Sequence, residues 1–310
     1  MVQAADAASN AEEGLIATTP AAGSGRPERP LEWSAGAGAD AAVIGRLSST
    51  CSKPVVGVGM RCTFREFQAL AGSGVTRAGA SEAVAFLTGR PGSGPPSMPY
   101  RLEARWQDVL TALAGGSVYG FLRIIDPGAD ETRVLVAVER GTAVRIVVRG
   151  EEVAADQVRP DAPWPALTGA LPEAQAAEGS EVTLPSRILA EARAEAAGRG
   201  DDQVDWLAYE LRLREVPPDD ARAVGALLRQ SDQVTARIGI ALCRSDGTLL
   251  RAPSEIEVLH SPTGRVAVVP EVPDDTYAMV TPASSFALGR ALQHYTEVLW
   301  EQAEEIDRPA

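Results

Sequence analysis

The alternation of apolar and polar residues predicts an antiparallel meander in residues 234–282. Turn signals divide this segment into short runs rich in Val, Ile, Leu and Thr, which suit half-buried strands. We predict four strands, at residues 235–243, 248–251 continuing to 255–260, 265–269 and 276–281. Ile238, Ile240 and Leu242 alternate with small or polar neighbours, which places one face of this sheet on a core.

A similar pattern occurs earlier in the chain. Strands are predicted at residues 118–125, 133–139 and 143–149, with a further strand at 100–106 and a helical turn or two at 108–113. Like the later meander, these strands are joined by turns rich in Pro, Gly and Asp. The likeness suggests two similar halves that pair across one continuous sheet, although their sequences are too different to be called a repeat.

Helices are predicted before, between and after the two sets of strands. Thr63, followed three residues later by Glu66, is a capping signature for a first helix. Further helices are predicted at residues 81–87, at 187–197, at 204–214 with Asp201 or Asp202 as its cap, from Pro217 to about 230, and from Thr281 or Ser284 to about 305. The helix after Pro217 carries one apolar face, formed by Ala221, Val224, Leu227 and Leu228.

Several short motifs follow one another in a characteristic order. They are Ser180–Pro185, Pro217–Leu228, Gly239, Asp246-Gly247, Arg251-Ala252-Pro253, Thr263-Gly264 and Thr281-Pro282 before a closing helix. This order resembles the EspG proteins, the secretion-associated chaperones of the type VII (ESX) systems of actinobacteria. The resemblance extends from about Leu102 to the end of the chain. It implies an α+β fold, with a central antiparallel β-sheet whose quasi-two-fold related halves are flanked by helices.

The pattern and the resemblance together predict one folded domain after a disordered tail. Residues 1–30 offer almost nothing to a core and are interpreted as the tail. Residues 31–310 form the predicted domain, with halves at about 31–170 and 171–310. Residues 90–99 are rich in Pro and Gly and are predicted to be an inserted loop.

By the resemblance, the function implied is that of a cytosolic, non-enzymatic chaperone and adaptor without a cofactor. Its partner would be a helical type VII substrate of the PE–PPE kind, whose hydrophobic tip it covers to keep the substrate soluble for export. The free protein would be a monomer or a homodimer.

Composition narrows the classes of partner. The net charge is −13, which argues against nucleic acid and against anionic membrane surfaces. No window approaches the length of a membrane span, and no signal peptide is recognisable. The three cysteines, Cys51, Cys62 and Cys243, are interpreted as reduced thiols, with a pairing of Cys51 and Cys62 as the alternative. We therefore expect a cytoplasmic protein.

The closing helix supplies the candidate partner-binding residues. On a helical wheel, Leu288, Leu292, Tyr295, Leu299 and Ile306 form a core-facing stripe, whereas Phe286 and Trp300 lie on the polar side. Two explanations are open: the aromatic pair anchors a partner, or a segment of the N-terminal third covers it. The candidate surface comprises Phe286, Gln293, Glu297 and Trp300 on this helix and Ile238, Ile240, Val258 and His260 on the meander.

The helix at 204–214 is apolar on two sides, with Trp206, Tyr209 and Leu213 on one of them. Burial of both sides is the favoured explanation, and a surface shared with a partner is the alternative.

The sequence carries no pattern typical of catalysis or metal binding. The only histidines, His260 and His294, have no Cys, His or Asp partners at ligand spacing. Gly57-Val58-Gly59 is a weak match to a dinucleotide-binding loop, because Cys62 occupies its third glycine position. The rival hypothesis is an enzyme or small-molecule binder that uses the sheet face and residues 57–61. A third possibility is an interaction protein unrelated to secretion.

Overall fold

The computed structural model describes residues 59–74, 78–89, 104–125, 130–197, 199, 205–229, 234–261 and 263–307. Several predictions concern residues outside these ranges. They are the predictions for residues 1–30, Cys51, Gly57 and Val58, the loop at 90–99, the strand residues 100–103 and the caps Asp201 and Asp202.

The first half of the fold is an edge strand, three helices, a four-stranded meander and a short helix. These elements are β1 (Met60–Thr63), α1 (Phe64–Gly74), α2 (Ala78–Thr88), α3 (Ala104–Gly115), β2 (Val118–Ile124), β3 (Thr132–Glu139), β4 (Thr142–Arg149), β5 (Glu152–Val158) and α4 (Pro163–Thr168).

The second half repeats this order, with one short strand added and a much longer final helix. Its elements are β6 (Val182–Pro185), α5 (Ser186–Ala197), α6 (Trp206–Leu213), α7 (Pro218–Leu228), β7 (Val234–Cys243), β8 (Leu249–Arg251), β9 (Ile256–Ser261), β10 (Gly264–Pro270), β11 (Tyr277–Pro282) and α8 (Ser285–Asp307).

The two halves share one antiparallel sheet. Its strand order is β1-β5-β4-β3-β2-β7-β9-β10-β11-β6, with β8 beside β7. In each half the last strand of the meander pairs with the edge strand that precedes the helices. The halves meet at β2 and β7, where Val118 lies opposite Leu242 and Ile124 opposite Ala236. This arrangement confirms the predicted α+β class and the continuous sheet with quasi-two-fold related halves.

The two faces of the sheet are covered differently. On one face, α4 and α8 pack over the centre, and their apolar residues join those of the central strands in one core cluster. On the other face, α1, α2 and α3 cover the first half and α5, α6 and α7 cover the second, as two separate clusters. The strands that join the halves are therefore covered by helices mainly from one side.

Local signals explain several element boundaries. The Thr63 hydroxyl accepts from the Glu66 amide at 3.2 Å, and the Glu66 carboxylate accepts from the Thr63 amide at 2.8 Å, so the predicted capping box is confirmed. The Ser284 hydroxyl likewise accepts from the Ala287 amide at 3.0 Å and starts α8. For α6 the cap is Asp205, whose carboxylate accepts from the Ala208 amide at 3.0 Å.

Two predicted strands are corrected by the structure. Ala104–Trp106 begin helix α3 instead of ending a strand, because Trp106, Val109 and Leu113 share one buried helical face. The long second strand of the meander is divided into β8 and β9, because Pro253 has no amide hydrogen to donate to the sheet. The sequence reasoning also did not predict β1, β5, β6 and α4.

Candidate partner-binding surfaces

Helix α8 lies on the sheet with one apolar stripe and leaves its outer side exposed. Leu288, Leu292, Tyr295 and Leu299 are buried as predicted, and Ala303 extends the stripe. The Tyr295 hydroxyl donates to the Pro270 carbonyl oxygen, and burial raises the pKa of this tyrosine. Ile306 does not belong to the stripe, since it is 54% exposed in the last turn.

The outer side of α8 carries the four candidate residues predicted on this helix. Phe286 is 75% exposed and Trp300 is 41% exposed. Gln293 and Glu297 are exposed between them, and the Gln293 amide donates to the Glu297 carboxylate at 2.9 Å. Phe286 and Trp300 are fourteen positions apart, which at about 1.5 Å per residue separates them by roughly 21 Å. They are two separate exposed aromatics on one helix face and do not form one aromatic cluster.

A groove of about 450 Å³ lies beside Trp300. It runs between the last turns of α8 and the end of β7, and its lining combines apolar side chains with the ion pair of Arg244 and Asp307. The lining residues are Leu242, Cys243, Arg244, Ser245, Trp300, Ala303, Glu304 and Asp307. The Arg244 guanidinium binds Asp307 and also contacts Asp246 at 3.3 Å, so it ties the turn after β7 to the end of α8. Trp300 is thus a half-exposed aromatic on the rim of a preformed groove.

The candidate residues on the strands are placed differently from those on α8. Ile238, Ile240 and Val258 are 0%, 2% and 0% exposed, because their face of the sheet is the one that α8 covers. Their prediction as partner contacts is therefore wrong for this structure, since they offer no surface to a partner. The strand alternation was correct, but the open positions on the opposite face are those of Arg237, Gly239 and Glu257.

His260 is half-buried at the end of β9, opposite Arg265 on β10. Burial, followed by the positive charge of Arg265, lowers the pKa of His260. Arg265 is only 2% exposed, and its guanidinium donates to the Pro172 carbonyl oxygen. This histidine therefore sits in a structural contact at the edge of the core.

The opposite face of the sheet contains a cleft between α5 and the strands of the second half. Arg237 is exposed on β7, and a Cβ atom added at Gly239 would meet, among the described residues, only Glu255 at 3.6 Å. A volume of about 300 Å³ opens beside Arg237, and Arg193 on α5 and Glu257 on β9 line it. Glu257 pairs with both arginines, at 2.7 Å to Arg193 and 3.3 Å to Arg237. The sequence reasoning missed this cleft, although arginines at strand positions that alternate with core residues were a signal for it.

Helix α6 exposes a third apolar area. Tyr209 is 44% and Leu213 is 60% exposed, so the favoured explanation that both sides of this helix are buried is wrong. Trp206 is half-buried beneath them, packs edge-on against Tyr209 and lies under the Arg199 guanidinium at 4.8 Å. Only the Ala208 and Leu211 side of the helix reaches the core.

The structure describes residues 59–61 of the segment named in the rival hypothesis. Met60–Thr63 form an edge strand, and burial, followed by the charge of Glu66, raises the pKa of Cys62 to about 11.

Within the described part of the chain, no group of His, Cys, Asp and Glu side chains is arranged to hold a metal ion. Among the same residues, no helix has the length and hydropathy needed to cross a membrane.

Comparison with known proteins identifies the family. The model of the EspG family matches residues 98–294, which is more than half of the chain. This chain belongs to the EspG family. A similar solved structure is that of the Mycobacterium tuberculosis type VII secretion system chaperone EspG5 in complex with the PE25-PPE41 dimer. It is 16% identical, with a TM-score of 0.57, and the match covers 77% of this chain and 96% of that chain. No curated protein sequence matches this chain.

The EspG match includes some of the candidate surface residues and leaves out others. It includes the strands β2 to β11, the cleft residues Arg193, Arg237 and Glu257, and the first half of α8 up to His294. Trp300 and the other α8 residues of its groove lie beyond residue 294, whereas the wall formed by residues 242–245 lies within the match. The match therefore includes all of the cleft residues named above and one of the two walls of the groove beside Trp300.

Proposed function

We propose that this EspG protein is a cytoplasmic, non-enzymatic chaperone and adaptor for helical type VII secretion substrates of the PE–PPE kind. The observation that carries the proposal is membership of the EspG family, together with a fold shared with EspG5, a chaperone solved in complex with the PE25-PPE41 dimer. An apolar tip that is exposed on a substrate promotes self-association, and a partner that covers it prevents this.

The outer side of α8 is the proposed contact surface for the substrate. Phe286 and Trp300 are large exposed aromatics on an otherwise polar face, and Trp300 borders a groove with an apolar wall. The few residues that dominate binding energies are enriched in Trp and Tyr, and truncating such a hot-spot residue costs about 2 kcal/mol or more. That loss corresponds to a roughly thirtyfold weaker Kd.

The test is co-expression with the candidate helical substrate pair that is encoded nearest to this chain, followed by affinity purification and size-exclusion chromatography with mass determination. A complex of defined stoichiometry, with a substrate that aggregates when this chain is omitted, is the expected result. A substrate that is soluble alone and forms no complex would contradict the proposal for that partner. The mass of the free protein also distinguishes a monomer from a homodimer.

Trp300→Ala tests the surface, and Tyr277→Ala is its matched control. The two aromatics are 41% and 45% exposed, but Tyr277 lies at the start of β11, outside α8 and its groove. Trp300→Ala is expected to weaken substrate binding about thirtyfold while the protein stays folded, and Tyr277→Ala to leave binding unchanged. A loss of more than about 2 kcal/mol of stability in Trp300→Ala would instead mark this residue as part of the core.

A further inference from the structure

The groove beside Trp300 carries negative charge that the described part of the fold does not neutralise. Its described lining residues include one cation, Arg244, and two carboxylates, Glu304 and Asp307. The Arg244 guanidinium already binds Asp307 and contacts Asp246 at 3.3 Å. Two carboxylates thus share one guanidinium group, and Glu304 has no cationic partner among the described residues. The groove is therefore electronegative.

The end of α8 adds to this negative potential. Glu301 and Glu305 are exposed close to Glu304 in the sequence, and the last turn of the helix contains no basic residue. Carboxylates three or four positions apart on a helix repel one another, and the C-terminus of a helix already carries partial negative charge. Both effects destabilise α8 by itself. Helix stability therefore does not explain why this end of α8 is acidic.

Trp300 provides an aromatic surface in the same groove. It lies four positions before Glu304, so the two side chains are on the same side of α8, and both line the groove. A tryptophan ring attracts an arginine or lysine cation that lies over its face, within about 6 Å of the ring centroid. Leu242 and Ala303 form an apolar wall, against which the methylene groups of such a side chain can pack. The groove thus offers an aromatic ring, a free carboxylate and an apolar wall together.

The charge of the groove distinguishes between possible occupants. An acidic segment would add to the repulsion at the end of α8, whereas a basic segment would relieve it. The whole chain carries a net charge of −13, so long-range repulsion opposes docking of a second copy of this chain or of another acidic protein. A groove of about 450 Å³ lies in the usual size range of ligand sites. These observations favour an occupant with a positive charge next to apolar residues.

We propose that the groove binds an arginine or lysine side chain that lies beside apolar residues on the helical substrate. The inference rests on the function proposed above, in which α8 contacts the substrate, and it names the chemistry of the segment that α8 contacts. The Trp300 ring and the Glu304 carboxylate bind the cation, while the apolar wall contacts its methylene groups. Of two substrates with equally apolar tips, the one with a basic residue beside the tip should bind more tightly.

The first test uses the free protein and the peptide Gly-Leu-Ala-Arg-Ala-Leu-Gly, labelled with a neutral fluorophore. Its binding is measured by fluorescence anisotropy, and the control peptide carries citrulline, an uncharged analogue, in place of arginine. We expect the arginine peptide to bind at least about tenfold more tightly, with a difference that added salt reduces. Equal binding of the two peptides, or binding of neither, overturns the proposal.

Two neighbouring glutamates separate a specific site from general attraction. Glu304 lines the groove, whereas Glu305 is equally an exposed glutamate of α8 but does not line it. Glu304→Lys and Glu305→Lys change the net charge by the same amount. We expect Glu304→Lys to weaken binding of the arginine peptide at least about tenfold and Glu305→Lys less than about twofold. Equal losses in the two variants show general electrostatic attraction and overturn the proposal.

The substrate pair of the co-expression test separates this inference from the chaperone function. We expect the pair to displace the arginine peptide, and Glu304→Lys to weaken the complex at least about tenfold. A complex that leaves the peptide bound, or that Glu304→Lys does not weaken, overturns the inference and leaves the chaperone function intact. Absence of any complex contradicts both for that substrate pair.

Folding is checked by thermal unfolding of the same variants. Glu304→Gln and Glu304→Lys are expected to melt at or above the temperature of the wild type, because repulsion at the C-terminus of α8 is reduced. A clearly lower melting temperature together with weaker peptide binding shows that Glu304 is a structural residue, and this also overturns the proposal.

Discussion

Two glycines on the paired central strands provide a direct test of which sheet face is open. Gly120 on β2 points to the face that α4 covers, and an added Cβ atom would lie 2.6 Å from the Trp164 ring and 2.9 Å from Leu167. Gly239 on β7 points into the cleft, where an added Cβ atom would meet only Glu255 among the described residues, at 3.6 Å. The same substitution, glycine to alanine, therefore meets a packed helix at one position and open space at the other.

The expected difference in stability between the two variants arises because only one of the substitutions crowds buried side chains. Both substitutions reduce the entropy of the unfolded chain, which stabilises the fold by about 0.4–1 kcal/mol. Only Gly120→Ala adds overpacking, because Trp164 and Leu167 are 3% and 0% exposed and have little room to move. Overpacking typically costs about 1–3 kcal/mol. Gly239→Ala is thus expected to be neutral or stabilising, and Gly120→Ala to be about 1–3 kcal/mol less stable than Gly239→Ala.

Urea unfolding followed by circular dichroism measures this difference for both variants and the wild type. Thermal unfolding gives a second readout, in which about 1 kcal/mol corresponds to roughly 2–4 °C for a domain of this size. Equal destabilisation by the two variants would refute the reasoning, because it would mean that Gly239 is covered as tightly as Gly120. Unchanged m-values show that the comparison reports on the folded state.

Three further substitutions test local contacts. The pKa of His260 is lowered in the folded protein, so the folded state binds a proton less readily than the unfolded state. The contribution of His260 to stability should therefore be complete above the ordinary pKa of 6.5 and should decrease as the pH falls below that value. Urea unfolding at several pH values measures this decrease, which should be smaller in His260→Gln. Tyr295→Phe leaves the Pro270 carbonyl oxygen without its donor and is expected to cost about 1–2 kcal/mol, whereas an unchanged midpoint would show that the bond contributes nothing. Thr63→Ala removes the capping hydroxyl of α1 and should lower the melting temperature by about 2–4 °C, and no change would show that the Glu66 side chain caps this helix unaided.

The candidate site was only partly predictable from sequence. The helical wheel correctly separated Leu288 and Leu299 from Phe286 and Trp300, because a period of 3.6 residues assigns faces without knowledge of the neighbours. For Ile306 it failed, because the last turn of α8 lies beside the turn after β7, where Asp307 contacts Arg244, and leaves Ile306 54% exposed. For the strands, period-two alternation identified two faces but not which of them a helix covers.

The sequence by itself determined the helix starts and strands that depend only on residues a few positions apart. The capping box at Thr63 and Glu66, the cap at Ser284 and the alternating strands β2, β3 and β7 follow from hydrogen bonding and periodicity along the chain. Only the tertiary structure decided that α8 lies over Ile238 and Ile240, and that Arg123 and Arg237 meet across the junction of the halves. These contacts join residues more than a hundred positions apart or depend on how helices distribute over two faces. Their energies arise only when the whole sheet has assembled, so no local pattern in the sequence specifies them.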